Sequence, residues 1–259
     1  MRSRASVGDK VTAAKKGDEL TGPVEDYLKV IYEIERGAGA AATNDIAHRL
    51  AVAPASVSGM VRRLADQGLL AHERYKGVRL TTAGRRAALR TIRRHRVIEA
   101  YLAGALGYPW DRVHAEAERL EHAASDELID RMAAAIGEPA VDPHGAPIPT
   151  REGAVDERRL LSLVELALGR TARILRVRDE DPGMLRYLGE MGILPGALVV
   201  VEGREPFGGP ITLRVGDAIR SVGPELAAQV RVEELTPAGP GSGRAAKGRA
   251  GPRGGRKER

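Results

Sequence analysis

The chain has no cysteine among its 259 residues. That excludes disulfides, thiolate nucleophiles, cysteine-type zinc fingers and iron–sulfur clusters. Any metal here must be held by His, Asp, Glu, Met, backbone carbonyls or water. Aromatic residues make up 3%, too few for the stacking platforms of single-strand nucleic-acid binders. No uncharged run reaches the ~18 residues that a spanning helix needs. The opening residues, MRSRASVGDKVTAAKKGDE, lack the apolar stretch of a secretory signal. A membrane is therefore not an expected partner, and the cytoplasm is the expected location.

What is present is charge, and it is segregated. The net charge is +6. Thr236–Arg259 alone holds seven basic residues and one acidic, so the rest of the chain sums to zero. Inside that neutral body, Thr43–Arg96 has twelve basic and three acidic residues, while Glu99–Asp142 has three basic and ten acidic. A basic block followed by an acidic, His-containing block points to one polyanionic and one cationic partner.

The pattern divides the chain into parts. Residues 1–20 are polar and aperiodic, a disordered tail. Residues 21–95 open with helical spacing of Val24, Tyr27, Leu28, Ile31, Tyr32 and Ile34. A short helix from Thr43 follows, then the joint Ala51-Val52-Ala53, a second helix from Pro54, and two strands around a turn within Leu69–Thr81. Helix, tight joint, helix and hairpin is the layout of a winged helix-turn-helix. Residues 96–142 read as helices, with one near Trp110–Leu120 running past His122 and another over Ser125–Ile136. Residues 143–156 are a proline-rich linker or an ordered crossing loop. Residues 157–235 switch to short strands with glycine turns, broken by a helix over Pro182–Glu190, and suggest a small all-β SH3-like barrel. Residues 236–259 are a disordered basic tail. The expected fold is a mainly α N-terminal part followed by that barrel.

Two constellations carry chemistry. The second helix of the helix-turn-helix starts Ala53-Pro54-Ala55-Ser56-Val57-Ser58-Gly59, where small side chains allow close approach to double-stranded DNA and the serines can donate. Arg62 and Arg63 follow a turn later, and the wing supplies Arg74, Lys76 and Arg79 for phosphate. The other constellation is Val113–His122. At about 100° per residue, His114, Glu118, Glu121 and His122 share one face, with Ala117 and Leu120 as the buried side. His95 and Glu99 form a second i, i+4 pair on the preceding helix. Three imidazoles and several carboxylates on neighbouring helices make a metal cage; the alternative is a wet polar face. His48, His72 and His144 read as surface or loop histidines.

These segments resemble the two-domain, metal-dependent repressors of the diphtheria toxin repressor and manganese transport regulator family. The residues that carry the resemblance are Val24-Glu25-Asp26-Tyr27-Leu28-Lys29-Val30-Ile31-Tyr32, the winged helix over Asp45–Gly84, Arg94-His95-Arg96 with Glu99, and Val113-His114 through Glu118, Glu121-His122 and Ser125-Asp126-Glu127. The loop Asp142–Pro149 is also similar, and Met191-Gly192-Ile193-Leu194-Pro195-Gly196 resembles the family's FeoA-like domain. The resemblance implies a regulatory metal site from Asp26, Glu118, Glu121 and His122. It implies an ancillary site from His95, Glu99 and His114, completed by Asp181 of the SH3-like domain, with Met184 where the iron-type pattern has an amide ligand. It also implies a homodimer on a palindromic operator.

Iron-type members of the family place Met and Cys where this chain has Asp26 and Glu118. Carboxylates there favour a hard cation, so manganese(II) is the expected ion and iron(II) the alternative. Single-domain manganese regulators have a glutamate at the position of Lys29, bridging into a closely spaced metal pair. A protonated lysine cannot ligate, so separated sites are expected. Without metal, Asp26, Glu118 and Glu121 are expected to repel one another. The resulting expectation is a manganese-responsive repressor of metal-uptake genes. An iron-responsive repressor, a metal-dependent hydrolase (for which no nucleophile stands out) and a metal-independent winged-helix regulator are the alternatives.

Overall fold

The computed structural model describes residues 20–73, 77–179 and 181–235. The tails expected over 1–20 and 236–259, apart from Leu20, and the wing residues Arg74 and Lys76 lie outside the described residues. The first half is α1 (Gly22–Ala38), α2 (Thr43–Leu50), α3 (Pro54–Asp66), the hairpin β1 (Leu70–Glu73) and β2 (Gly77–Leu80), α4 (Thr82–Leu106), α5 (Val113–Leu120) and α6 (Asp126–Ala135). The second half is β3 (Leu161–Ser162), a 3-10 turn at Leu163–Glu165, β4 (Thr171–Val177), α7 (Pro182–Glu190), β5 (Leu198–Arg204), β6 (Ile211–Val215), β7 (Ala218–Val222), α8 (Pro224–Ala227) and β8 (Val230–Glu234).

The winged helix is built by local chemistry. Pro near the start of α1 and of α3 has no N–H to leave unsatisfied in a first turn. Ala51 turns the chain between α2 and α3 by taking φ 53°, and its N–H bonds back to the end of α2. Val57, Val61 and Leu64 bury one face of α3 in the core that also holds Leu28, Ile31 and Ile46. That leaves Pro54, Ala55, Ser56, Ser58, Gly59 and Arg62 exposed on the other. The wing is pinned by Ala41 and Val78, which exchange two backbone hydrogen bonds of 2.9 Å. Gly84 lets α4 pass under the hairpin, since a Cβ there would stand 2.0 Å from the Leu69 carbonyl oxygen.

α4 is one uninterrupted helix across the boundary expected between residues 95 and 96. Its first turns pack on α1 and β2, and its later turns on α5 and α6. Val97, Ile98, Leu102, Val113, Ala117, Ile129 and Ala133 form the core of that second layer. The C-terminal half is a six-stranded antiparallel sheet in the order β3-β8-β4-β5-β6-β7. Leu163, Ile174, Leu185, Leu188, Val199, Leu213 and Val232 fill its interior. The strand texture expected after residue 157 is present; the two-residue β3 and the four-residue α8 are additions too short to leave a period.

Of the two readings of this proline-rich stretch, the hydrogen bonds and close packing at its start fit the ordered crossing loop. Asp142 Oδ1 accepts from the backbone N–H of His144 and Ala146, both 2.9 Å. Gly145 presses this loop against β4, where a Cβ would meet the Leu175 carbonyl oxygen at 1.8 Å. The N–H of Val177 then donates to the His144 carbonyl at 2.9 Å. On the other side, Trp110 packs on the apolar core of the β domain, and Arg186 on α7 donates to Asp111 at 2.9 Å. The helical and β halves thus meet at His144, Trp110 and Asp111.

Candidate metal centre and nucleic-acid interface

Ligand atoms converge in three adjoining groups: Asp26, Glu121 and His122; His95, His114 and Glu118; and Glu99, Asp142, His144 and Asp179. Within each group these atoms lie within 4.8 Å of one another. The first joins α1 to the end of α5. His122 Nε2 is 2.9 Å from Asp26 Oδ1 and 3.5 Å from Glu121 Oε1. His122 Nδ1 faces Glu25 Oε2 at 2.7 Å, and Arg94 holds the other Glu25 oxygen at 3.0 Å. Glu25 therefore fixes the ring and aims Nε2 at the carboxylates, the way carboxylates orient metal-binding imidazoles. Nothing in residue spacing singled out Glu25; its adjacency to Asp26, and Arg94 beside His95, were the available signals.

α5 stops at Leu120, two residues before His122, but Glu121 keeps right-handed helical angles, so the shared face survives. The burial expected for that face is partly reversed. Ala117 is buried as expected, yet Leu120 is 43% exposed and Glu121 is fully buried. The helix turns a carboxylate inward because basic and imidazole groups wait there. Lys29 Nζ lies 2.5 Å from Glu118 Oε1 and 2.8 Å from Glu121 Oε1. His95 Nδ1 lies 2.5 Å from Glu121 Oε2. Burial works against the Lys29 charge, but Glu121 and Glu118 outweigh it and hold Lys29 above the ordinary lysine range. Glu121 is pulled below the usual carboxylate range: burial opposes this, and His95 and Lys29 prevail. Asp26 is raised, mainly by burial. The repulsion expected among Asp26, Glu118 and Glu121 is thus offset by Lys29 and His122.

Glu99, of the third group, also reaches the two histidines of the second. Its Oε1 is 3.0 Å from His95 Nε2, 3.2 Å from His114 Nδ1 and 3.7 Å from His144 Nδ1. Burial disfavours the Glu99 charge, but His95 and its histidine hydrogen bonds hold Glu99 well below the usual carboxylate range. Glu99 and Glu121 push His95 up to about 10 against its own burial.

Two expectations need correcting. His144 is fully buried, and its Nε2 donates to the Trp110 carbonyl at 2.7 Å, which leaves Nδ1 pointing at Glu99 and at Asp179, 3.8 Å away. The ancillary cluster is met by Asp179, whose Oδ2 is 4.0 Å from His114 Nδ1, and not by Asp181. Asp181 is the N-cap of α7, with Oδ1 accepting from the N–H of Gly183 and Met184 at 2.8 and 3.1 Å. A free helix start captured that side chain. Met184 packs against the β-domain core.

Donor chemistry and unmet polar atoms both fit a hard divalent cation. Glu99 Oε2, Asp142 Oδ2 and His144 Nδ1 are buried without a hydrogen-bond partner among the described residues, an unfavourable state that a cation would relieve. The 3.7 and 3.8 Å separations around His144 Nδ1 are too long for hydrogen bonds. The donors are oxygen and imidazole nitrogen, with no sulfur.

An exposed, small-residue helix start on a winged helix, joined by shared helices to clustered carboxylates and imidazoles, defines a metal-responsive DNA-binding regulator. The chain belongs to the iron-dependent repressor family. Residues 19–78 match the family's N-terminal DNA-binding domain, 81–150 its metal-binding and dimerisation domain, and 161–234 the FeoA domain. It is similar to the iron-dependent repressor IdeR of Mycobacterium tuberculosis, at 33% identity over 230 residues covering 84% of this chain and 100% of that one. It is similar to the HTH-type transcriptional regulator MntR of Lysinibacillus sphaericus, at 36% identity over 44% of this chain and 81% of that one. A solved manganese-dependent transcriptional repressor in complex with manganese superposes with a TM-score of 0.77 at 40% identity, over 82% of this chain and 100% of that chain. The protein is thus a metal-dependent transcriptional repressor and not an enzyme, with DNA and a second copy of itself as partners; the hydrolase alternative has no support. No helix among the described residues is long and apolar enough to cross a membrane.

Proposed function

We propose that the chain is a manganese(II)-responsive repressor of metal-uptake genes that acts in the cytoplasm as a homodimer on a palindromic operator. The observation that carries this reading is the convergence of Asp26 on α1 with Glu121 and His122 at the end of α5, and of Glu118 nearby, without a sulfur donor. Asp26, Glu118, Glu121 and His122 form the regulatory site. His95, Glu99 and His114 form the ancillary site together with Asp142, His144 and Asp179, which replace Asp181. A bound divalent cation supplies positive charge that ligands from separate elements share. Asp26 then ties α1, the first helix of the DNA-binding unit, to α5. Glu99 on α4 and Asp179 after β4 tie the helical layer to the β domain. With α1 fixed, α3 presents Pro54, Ala55, Ser56, Ser58, Gly59 and Arg62 to the major groove at one spacing, and its twin in the dimer does the same. The functional division is 21–95 for DNA, 96–142 for metal and dimerisation, and 157–235 for the FeoA unit, with α4 shared by the first two.

A second reading, an iron(II)-responsive repressor, is favoured by the likeness to IdeR over that protein's whole length. Oxygen and imidazole donors accept iron(II) as well as manganese(II). Operator binding measured by fluorescence anisotropy under anaerobic titration separates the two. Half-activation at lower free manganese(II) than iron(II) supports the manganese reading, and the reverse order replaces it. Full binding in the presence of chelator removes the switch. Asp26→Ala and His122→Ala should each abolish metal-stimulated binding.

A further inference from the structure

Lys29 has a position that ligand assignment leaves unexplained. It stands on α1 almost one turn after Asp26. Its ammonium bridges Glu118 Oε1 and Glu121 Oε1 at 2.5 and 2.8 Å, and its side chain is 12% exposed. These are carboxylates of the regulatory site, so the donor set carries a cation of its own. An oxygen that accepts from an ammonium has less electron density to offer a metal. A monocation that shares carboxylates with a dication also repels it. Both effects act against metal binding, whether the ammonium swings away or stays.

We propose that Lys29 is a tethered competitor cation that sets the metal threshold of the regulatory site. It rests on the reading of Asp26, Glu118, Glu121 and His122 as that site. Lys29 holds Glu118 and Glu121 together when no divalent ion is bound, and it weakens the binding of the ion that takes them over. The effect depends on charge and not on ion identity, so manganese(II) and iron(II) are weakened alike. Lys29 thus adjusts the concentration at which the switch operates, while the hardness of the ligands decides which ion it prefers.

The test compares the full-length chain with Lys29→Met, Lys29→Gln and Lys29→Arg. Affinity for manganese(II), and for iron(II) anaerobically, is read by competition with a fluorescent chelator. Thermal unfolding is followed in excess chelator. Charges of +1 and +2 sharing a ligand are close enough for about a tenfold effect on binding even at the dielectric of water. Lys29→Met and Lys29→Gln should therefore bind both ions at least about tenfold more tightly, with the ratio between the ions unchanged. The same two variants should melt at lower temperature in chelator. Lys29→Arg keeps the charge and should keep the weaker affinity. A lysine that merely supported packing would lose stability and metal affinity together, which overturns the proposal, as does tightening in Lys29→Arg. Glu118→Gln and His122→Ala serve as the separate control. If they weaken manganese(II) binding while Lys29→Met leaves it unchanged, the competitor role alone fails. If neither weakens it, the site reading fails as well.

Discussion

His95 and Glu121 approach to 2.5 Å through His95 Nδ1, while the other nitrogen of the same ring lies 3.0 Å from Glu99. One imidazole therefore faces a carboxylate of the regulatory set on one side and the centre of the ancillary set on the other. If Nε2 ligates an ancillary ion, Nδ1 carries the proton and donates to Glu121, steadying a regulatory ligand. Occupancy of the two proposed sites would then be coupled through a single ring. Titration calorimetry should show His95→Ala weakening both sites, each by roughly 10–100-fold, the range expected for lost ligands and their orienting partners. An unchanged regulatory site would break the link.

Asp179 and Asp181, two residues apart, should separate cleanly. Asp179→Asn should weaken the ancillary site about tenfold with little effect on folding. Asp181→Ala should leave metal affinity alone and lower stability by ~1 kcal/mol through the lost N-cap. Chemical denaturation together with metal titration checks both, and the opposite pattern would return Asp181 to the site.

Stability of the metal-free chain should fall with rising pH. His95 and His144 are pushed up to about 10 and about 9, against their own burial, by Glu99 with Glu121 and by Glu99 with Asp142. A folded-state value above the unfolded 6.5 means that the folded chain holds the proton more tightly. The stabilisation is complete below pH ~6.5 and is lost as pH rises through about 9 and 10. Melting in chelator should therefore drop by several degrees between pH 7 and 10. Manganese(II) affinity should rise over the same interval, because these rings must lose protons to bind metal. A flat melting temperature would contradict the protonated state of both rings.

Arg62→Ala should reduce the salt slope of operator binding by about one unit if its exposed guanidinium meets a phosphate. Removing residues 236–259 should lower non-specific affinity with a smaller slope if that basic tail touches DNA. An unchanged slope assigns no phosphate to either.

Adding saturating manganese(II) should raise the melting temperature, since a ligand at 100 times its Kd stabilises by about 2.7 kcal/mol. Glu99→Gln should remove part of that rise and keep metal-stimulated DNA binding measurable, whereas Asp26→Ala should lose the DNA response.

The helix-turn-helix was legible because its determinants are local: a 3.6-residue apolar period, proline at helix starts, and a short joint. His114, Glu118, Glu121 and His122 were legible for the same reason, since one helix face brings them together. Glu25 was not, because its role depends on Arg94 approaching from another helix. His144 and Asp142 lie in a proline-rich loop with no period, and only the packing of that loop on β4 and Trp110 buries them. Asp181 follows from the register of the family resemblance, which does not separate two aspartates two residues apart; only the start of α7 shows which one the backbone claims.

α4 runs unbroken from beneath the wing, through His95 and Glu99, to the layer beyond. Continuous backbone hydrogen bonding makes it a stiff arm, and a metal held at His95 and Glu99 would act as its pivot. From His95 back to Thr82 the arm is about 20 Å long at 1.5 Å per residue. A tilt of about 5° at the pivot carries the wing end through about 2 Å. In a two-fold dimer the two arms move in rotation-related senses, so the displacements add between the half-sites, and a small adjustment of ligand geometry becomes a large change in operator fit.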